Sequence, residues 1–232
     1  MANRILILFL LIFTSAFRLP AQDLNDILEK TRQKIDKVND YEATGKMKTN
    51  VAFLKVPVAN VRIFFKKPNK LKLKSEKGVS FIPKGAVSIN LNNVLGSNDF
   101  TVIDAGTEKI GNTVVRVAKL LPNDDNSDIV LSTLYIDPVN YVVRKAKTTT
   151  RENGTYELEM TYSKYIEYGL PDKILFSFNT KDYKLPKGVT FDFDDGATQK
   201  KPVTDIKNRK GRAEISFSKY TINNGVPDTV FK

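Results

Sequence analysis

The sequence predicts an α+β protein that is mostly β, with one amphipathic helix ahead of a long series of antiparallel strands. Apolar residues recur at helical spacing over residues 24–38, and most of the later chain alternates with a two-residue period. The chain also contains an internal repeat, whose two similar copies are ELEMTYSKYIEYGLPDKILF over residues 157–176 and EISFSKYTINNGVPDTVF over residues 214–231. The repetition predicts a sheet of similar antiparallel hairpins, one face of which must be covered or filled.

The helix is expected to begin at Asp23 and to end near Asn39. Asp23 is a favourable N-cap residue, and Asp26 and Glu29 place negative charge close to the positive end of the helix dipole. Apolar side chains form a single stripe along the helix, and we expect this stripe to pack on the sheet. Its members are Leu24, Ile27, Leu28, Ile35 and Val38.

The strands are expected from residue 41 onward, because polar and apolar residues alternate there as in half-buried antiparallel strands. If the register survives Pro68, one apolar side carries Ile63, Phe65, Leu71 and Leu73. Lys67 falls on this same side, where a lysine is unusual. The predicted strands cover residues 41–54, 58–67, 70–74, 99–104, 113–121, 129–137, 141–151, 156–162 and 174–178, and the second copy of the repeat is expected to add a terminal hairpin over residues 213–231.

Residues 78–100 interrupt the alternation. Pro83 and Gly85 disfavour a continuous strand in this segment, and residues 86–95 have the pattern of a short helix. An excursion of this length between strands is expected to be either a cover for the sheet or a functional lid.

Residues 1–21 have the pattern of a secretory signal peptide. Arg4 supplies the positive charge, residues 5–13 are apolar, and small residues follow. We expect cleavage after Ala21, with cleavage after Ala16 as an alternative. The apolar run is too short to span a bilayer stably, although a retained membrane anchor is the other interpretation. The chain has no cysteine, so neither a lipidated cysteine nor a disulfide is possible.

The mature chain, residues 22–232, fits a single domain that can bury a sizeable core, and we expect a periplasmic monomer. The full sequence has a formal net charge of +11. A basic balance suits nucleic acid, anionic lipid headgroups or the cell envelope. Export argues against nucleic acid, and lysines dispersed along strands, as in KLKLKS, are typical of a solvated face.

The residue types present argue against an enzyme. Histidine and cysteine are both absent, which excludes imidazole bases, thiolate nucleophiles and most zinc sites. The acids of FDFDDG, Asp192, Asp194 and Asp195, lack the full ligand pattern of an EF-hand loop, so an acidic turn is favoured over a calcium site. A pair of carboxylates brought together only by the fold stays open. We therefore expect no catalytic residues, no cofactor and no metal.

Four segments, in this order and spacing, resemble the periplasmic lipoprotein-carrier family of LolA, LolB and related lipid-binding envelope proteins. The resemblance covers nearly the whole mature chain, and its last segment includes the Pro-x-Gly-Val match at residues 186–189. The segments are DLNDILEKTRQKIDKVNDYEATGKMK, FFKKPNKLKLKS, LYIDPVNYVVRKAK and FSFNTKDYKLPKGVTFDF.

The resemblance implies an incomplete β-barrel, or half-barrel, wrapped around the N-terminal helix and a short helical lid, with a hydrophobic cavity for acyl chains. It implies a non-enzymatic carrier of lipoprotein acyl chains or other lipids, which helps outer-membrane lipoprotein sorting or lipid transport. We predict that the cavity is lined by Ile63, Phe65, Leu71 and Leu73 on its wall and by Phe81, Ile89, Leu91 and Leu95 on its lid.

The sequence departs from the family pattern in two places. The carriers have an arginine before the strand proline, which hydrogen-bonds the closed lid, whereas this chain has Lys67. Lysine lacks the planar fork of arginine, so we predict that Lys67 makes a different lid or headgroup contact. Residues 199–232 form a C-terminal extension that is expected to be a hairpin.

Two other functions are compatible with the pattern. The same fold could serve as an envelope sensor or interaction module that binds an inner- or outer-membrane protein partner. It could also be a scaffold with a filled core, which would have no cavity. Genes for lipid or lipoprotein export beside this one would favour the carrier, and a sigma-regulator pair would favour the sensor.

Overall fold

The computed structural model describes residues 23–51, 54–55, 58–75, 99–152, 154–179 and 210–232. These residues form one α-helix, eleven strands and two short 3₁₀ helices. In chain order they are α1 (Leu24–Asp36), β1 (Asp40–Val51), β2 (Leu54–Lys55), β3 (Ala59–Lys66), β4 (Lys70–Ser75), β5 (Phe100–Ile110), β6 (Thr113–Pro122), β7 (Ile129–Asp137), β8 (Val142–Thr150), β9 (Gly154–Thr161), the first 3₁₀ helix (Ile166–Tyr168), β10 (Lys173–Asn179), β11 (Lys210–Ile222) and the second 3₁₀ helix (Asp228–Phe231).

All eleven strands belong to one antiparallel sheet, in the order β4-β3-β1-β11-β10-β9-β8-β7-β6-β5, with β2 paired to β1 beside this path. Strands β5 to β10 form a meander in which each strand pairs with the next. Strand β11 then lies between β10 and β1. The order ends at β4 and β5 without closing, which confirms the predicted mostly β class with an open half-barrel and a helix.

Helix α1 begins where the sequence predicts. Asp23 is in an extended conformation, and its carboxylate accepts a hydrogen bond from the main-chain nitrogen of Asn25 at 3.3 Å. The helix ends at Asp36, three residues before the predicted end. It stops early because Asp40 already pairs with Lys66 in the sheet, so the intervening residues are needed for the turn.

The main core lies between α1 and the face of the sheet that the helix covers, which we call the inner face. Because side chains alternate along a strand, each strand contributes every second residue to it. Close packing of Phe178 requires a glycine at position 211, where a Cβ would lie 2.3 Å from the Phe178 ring. The buried members include Leu24, Ile27 and Leu28 of the helix and Leu120, Leu134, Ile136, Leu158, Met160, Phe176 and Phe178 of the sheet.

The predicted terminal hairpin is wrong. Residues 210–222 form the single strand β11, and the second copy of the repeat then ends in the second 3₁₀ helix. In the first copy, the chain after Gly169 enters β10, which pairs with β9 and β11. A strand returning along β11 would find both of its edges already occupied, by β10 and β1, so the two copies of similar sequence end in different structures.

Several predictions lie outside the described residues. They are the signal peptide at residues 1–21, the short helix at residues 86–95 and the acidic run at residues 192–195. Within the described part of the chain, no helix combines the length and apolar character that crossing a membrane requires.

Candidate functional site

A second apolar cluster lies on the inner face at the β4 end of the sheet, apart from the core under α1. Ala43, Ile63 and Tyr220 are buried at its centre. The apolar side chains around them are only partly buried, so the cluster is less well covered than the main core. We call these eleven residues and Phe65 the edge wall; the partly buried members are Tyr41, Leu71, Leu73, Tyr165, Leu170, Ile215, Phe217 and Ile222.

The β3–β4 hairpin brings together all four side chains predicted to form the cavity wall. Ile63 lies directly opposite Leu73, and Phe65 lies directly opposite Leu71. Directly opposite residues point to the same face of an antiparallel pair. Residues 67–69 form a turn, so these four residues face one another across two strands rather than following one strand past Pro68.

Strands β1 and β11, together with Tyr165 before the first 3₁₀ helix, supply an aromatic cluster centred on Tyr220, which sequence reasoning missed. The ring centroid of Tyr220 lies 5.4 Å from that of Tyr41, 4.9 Å from Tyr165 and 5.0 Å from Phe217. Tyr41 in turn lies 5.3 Å from Phe65 of β3. The signal that could have found this cluster is the repeated Ser-Lys-Tyr, which contains Tyr165 in one copy and Tyr220 in the other.

Two tyrosines of the edge wall, Tyr41 and Tyr220, are kept neutral by burial. The hydroxyl of Tyr220 donates to the carbonyl of Pro171 at 2.8 Å, and the hydroxyl of Tyr165 accepts from the main-chain nitrogen of Tyr220 at 3.3 Å. Burial raises the pKa of Tyr220 and that of Tyr41 well above the ordinary value for tyrosine. The edge wall therefore presents apolar side chains and uncharged phenols, which suit an apolar ligand.

Lys67 lies at the turn between β3 and β4 and contacts the end of helix α1. Its ammonium group donates to the carbonyl oxygen of Asp36 at 2.8 Å and to the carboxylate of Asp36 at 3.1 Å. A cation at this end of a helix also interacts favourably with the helix dipole. The described partner of Lys67 is thus α1. Its predicted lid or headgroup contact stays a prediction, because the lid residues Phe81, Ile89, Leu91 and Leu95 lie outside the described part of the chain.

Asn223, another residue that sequence reasoning missed, fastens the same end of α1 to the end of β11. Its side-chain oxygen accepts from the main-chain nitrogen of Asn39 at 2.7 Å, and its side-chain nitrogen donates to the carbonyl of Lys37 at 2.7 Å. Asn223 adopts φ of +55°, a conformation that asparagine tolerates better than most residues. The helix end beside the edge wall is therefore held from two different parts of the chain.

No protein-family model matches the sequence, and no curated protein matches it significantly. Solved structures do match. A LolA superfamily protein from Nitrosomonas europaea aligns with a TM-score of 0.58 at 11% sequence identity, over 91% of this chain and 98% of that one. This chain has the LolA-like fold.

Two further solved structures share this LolA-like fold. A domain described as an outer membrane lipoprotein-sorting domain from Vibrio parahaemolyticus has a TM-score of 0.53 at 13% identity, covering 89% of this chain and 94% of that chain. A DUF1329 family protein from Desulfovibrio piger has a TM-score of 0.57 at 11% identity, covering 89% and 95%. The predicted resemblance is thereby confirmed for the fold.

Among the residues with described positions, no group of three acidic side chains could hold a metal ion.

Replacing Lys67 with glutamine is expected to lower the free energy of unfolding by about 0.5–1 kcal/mol, because both contacts with the end of α1 are lost and the pair is partly exposed. Urea denaturation measures this change. Lys48→Gln is the matched control, since Lys48 is exposed and its side chain makes no ion pair, hydrogen bond or ring contact with any described residue, and it should leave the midpoint nearly unchanged. Equal stability of the Lys67 variant and the control would show that the contact with Asp36 does not hold the helix.

Proposed function

We propose that this protein is a non-enzymatic periplasmic carrier that binds the acyl chains of lipoproteins or other lipids on the edge wall. In this role it would help outer-membrane lipoprotein sorting or lipid transport. The observation that supports the proposal best is the edge wall itself, an apolar surface on the inner face of an open sheet, in which partly buried side chains surround a buried centre. The LolA-like fold supports it further, since one protein of this fold is described as a lipoprotein-sorting domain.

Burial of a short acyl segment would provide useful affinity. Each buried methylene contributes about 0.8 kcal/mol, so eight methylenes contribute about 6 kcal/mol. Part of this free energy offsets the loss of freedom on binding. The remainder suits a carrier, which must release its cargo to an acceptor.

The position of the predicted lid residues in the sequence is compatible with this proposal. Strand β4 ends at Ser75 and strand β5 begins at Phe100, and these two strands are the two ends of the open sheet. Phe81, Ile89, Leu91 and Leu95 therefore belong to the connection that follows the edge wall directly. We propose that they cover a bound acyl chain.

The proposal is tested by titrating the protein with a fluorescent fatty-acid probe and displacing the probe with fatty acids from decanoate to palmitate. Saturable binding is expected, and each added pair of methylenes should strengthen it by about fifteenfold until the site is filled. Equal affinity for every chain length, or no uptake of the probe, would contradict the proposal. The second result would favour the interaction module or the scaffold with a filled core.

A further inference from the structure

The outer face of the sheet, opposite α1, is strongly basic at the β4 end. Strand alternation places seven cations on this face of β1, β3 and β4. Three acidic side chains accompany them among the described residues, namely Asp40 and Glu42 of β1 and Asp228 of the second 3₁₀ helix, and Lys72 donates to the main-chain oxygen of Lys232. We call this surface the basic face; its cations are Lys46, Lys48, Arg62, Lys66, Lys70, Lys72 and Lys74.

Ion pairing on the outer face differs between the basic face and the middle of the sheet. Towards the middle, two lysines pair with glutamates on neighbouring strands. Lys145 pairs with Glu157 at 3.1 Å, and Lys173 pairs with Glu214 at 2.8 Å. On the basic face, by contrast, Lys46, Lys48 and Lys74 are exposed and form no ion pair with any described residue. Lys74 lies over the Phe64 ring, 5.5 Å from its centroid, and all three exposed ammonium groups can still meet a partner.

A depression of about 430 Å³ opens on the basic face where β1 and β11 form a β-bulge. The bulge requires Gly45, because a Cβ at this position would lie 2.5 Å from the carbonyl oxygen of Ser216. Val61 and Phe217 form part of its lining, and Arg62 at its rim pairs with Glu42 at 3.3 Å. The rest of the lining consists of hydroxyl, amide and cationic side chains, which match the donors that bind phosphate groups. These side chains belong to Thr44, Lys46, Asn60, Arg62, Ser216 and Ser218.

The chain itself already places an anion on the basic face. The carboxylate of Asp228 accepts hydrogen bonds from Lys70 at 2.9 Å and from Lys66 at 3.1 Å. The hydrogen bond from Lys70 and, to a smaller degree, the one from Lys66 hold the pKa of Asp228 below its ordinary value. Lysines of this surface can therefore converge on a single carboxylate, and a phosphate group offers the same negative charge.

We propose that the basic face docks the protein on a membrane surface that contains anionic phospholipids, with a lipid phosphate group held in the depression. The cations are spread across three neighbouring strands rather than gathered in a groove. Such an array suits the lateral array of headgroups in a bilayer better than it suits an acidic peptide. The surface is separate from the edge wall, which lies on the inner face, so docking and acyl binding are independent properties.

The test is cosedimentation of the full mature protein with vesicles of phosphatidylcholine, with and without about a third phosphatidylglycerol. Binding is expected only with the anionic lipid and should weaken as salt is added. Each cation near such a surface contributes about fivefold to binding, so Lys46→Gln, Lys48→Gln and Lys74→Gln together should weaken it by about a hundredfold.

The matched control removes three other exposed lysines and changes the net charge equally. Lys109, Lys119 and Lys147 lie on β5, β6 and β8, away from the basic face. Their replacement by glutamine should change vesicle binding by less than about fivefold. An equal loss in both triple variants would overturn the proposal, because it would show that net charge alone attracts the protein.

Asp228→Asn should act in the opposite direction. Removal of this carboxylate frees Lys66 and Lys70 and should strengthen vesicle binding by about fivefold, a gain that damage to the fold would not produce. Failure to bind the anionic vesicles would overturn the proposal, as would binding to polyglutamate in preference to them. Uptake of the fatty-acid probe should be unchanged in all these variants, so a failure of docking is distinguishable from a failure of the carrier function.

Discussion

Replacing Asp137 with asparagine is expected to lower the free energy of unfolding by about 3–5 kcal/mol. Asp137 ends β7, and its side chain is only 2% exposed. Its carboxylate accepts from the main-chain nitrogens of Val139 at 2.9 Å and Asn140 at 3.0 Å, and from Arg144 Nη2 at 2.8 Å. Asparagine would leave the Arg144 guanidinium without its counter-ion. Its NH₂ group would also replace a carboxylate oxygen that accepts hydrogen bonds, so that one N–H donor would face another.

The same substitution should change how stability depends on pH. Burial opposes ionisation of Asp137, but hydrogen bonds from Asn140, Arg144 and Val139 outweigh it and hold its pKa below the ordinary value. A lower pKa in the folded state means that ionised Asp137 stabilises the fold above the unfolded-state pKa of about 4. This contribution is lost as the pH falls through the folded-state pKa.

Urea denaturation at about pH 7 and about pH 3 measures both effects of Asp137→Asn. The difference in free energy of unfolding between wild type and variant should be large at the higher pH and smaller at the lower one. Asp125→Asn is the control, because Asp125 is exposed and its carboxylate makes no hydrogen bond within the described residues. A loss below about 1 kcal/mol at neutral pH would contradict the role given to this carboxylate.

Replacing Leu73 with aspartate is expected to weaken binding of the fatty-acid probe by at least about a hundredfold, because an ionised carboxylate would lie against the acyl chain. Leu73 suits this test because it is only partly buried, whereas its partner Ile63 is 7% exposed. The fold should therefore tolerate the change at position 73 better than at position 63. Probe fluorescence gives the affinity, and circular dichroism confirms that the variant is folded.

Lys74→Asp is the matched control for Leu73→Asp. It places the same charge one residue further along β4, on the outer face rather than on the edge wall. Probe affinity should stay within about threefold of wild type, since the residue does not face the ligand. If the two variants bound the probe equally well, the edge wall would not be the acyl site.

Local patterns predicted the elements of the fold well. The start of α1 follows from the capping residue Asp23, and most strand limits follow from alternation over adjacent residues. The position of β11 between β10 and β1 could not be predicted in this way. Alternation shows which face of a strand is apolar but does not select its neighbours, and here the pairing joins residues such as Tyr41 and Ile222 that are far apart in the chain.

In the candidate site, the residues of one hairpin were predictable from the sequence, whereas contacts between distant parts of the chain were not. Ile63 and Leu73 were expected on one face, and a hairpin places them there because its two strands pair in register. Tyr41 and Tyr220 were not expected, because they meet this surface through strands distant in sequence. The contact of Lys67 with Asp36 was also not expected, since the family resemblance directed attention to the lid rather than to the end of α1.

Native mass spectrometry tests the central claim, that the edge wall binds acyl chains, most directly. The protein would be purified without detergent from the periplasm of a Gram-negative host, and any bound lipid would be extracted into solvent and identified. We predict a stoichiometric adduct that contains an acyl chain in the wild type and is absent from Leu73→Asp. A clean mass of the unliganded wild-type protein, together with no uptake of the fatty-acid probe, would contradict the claim.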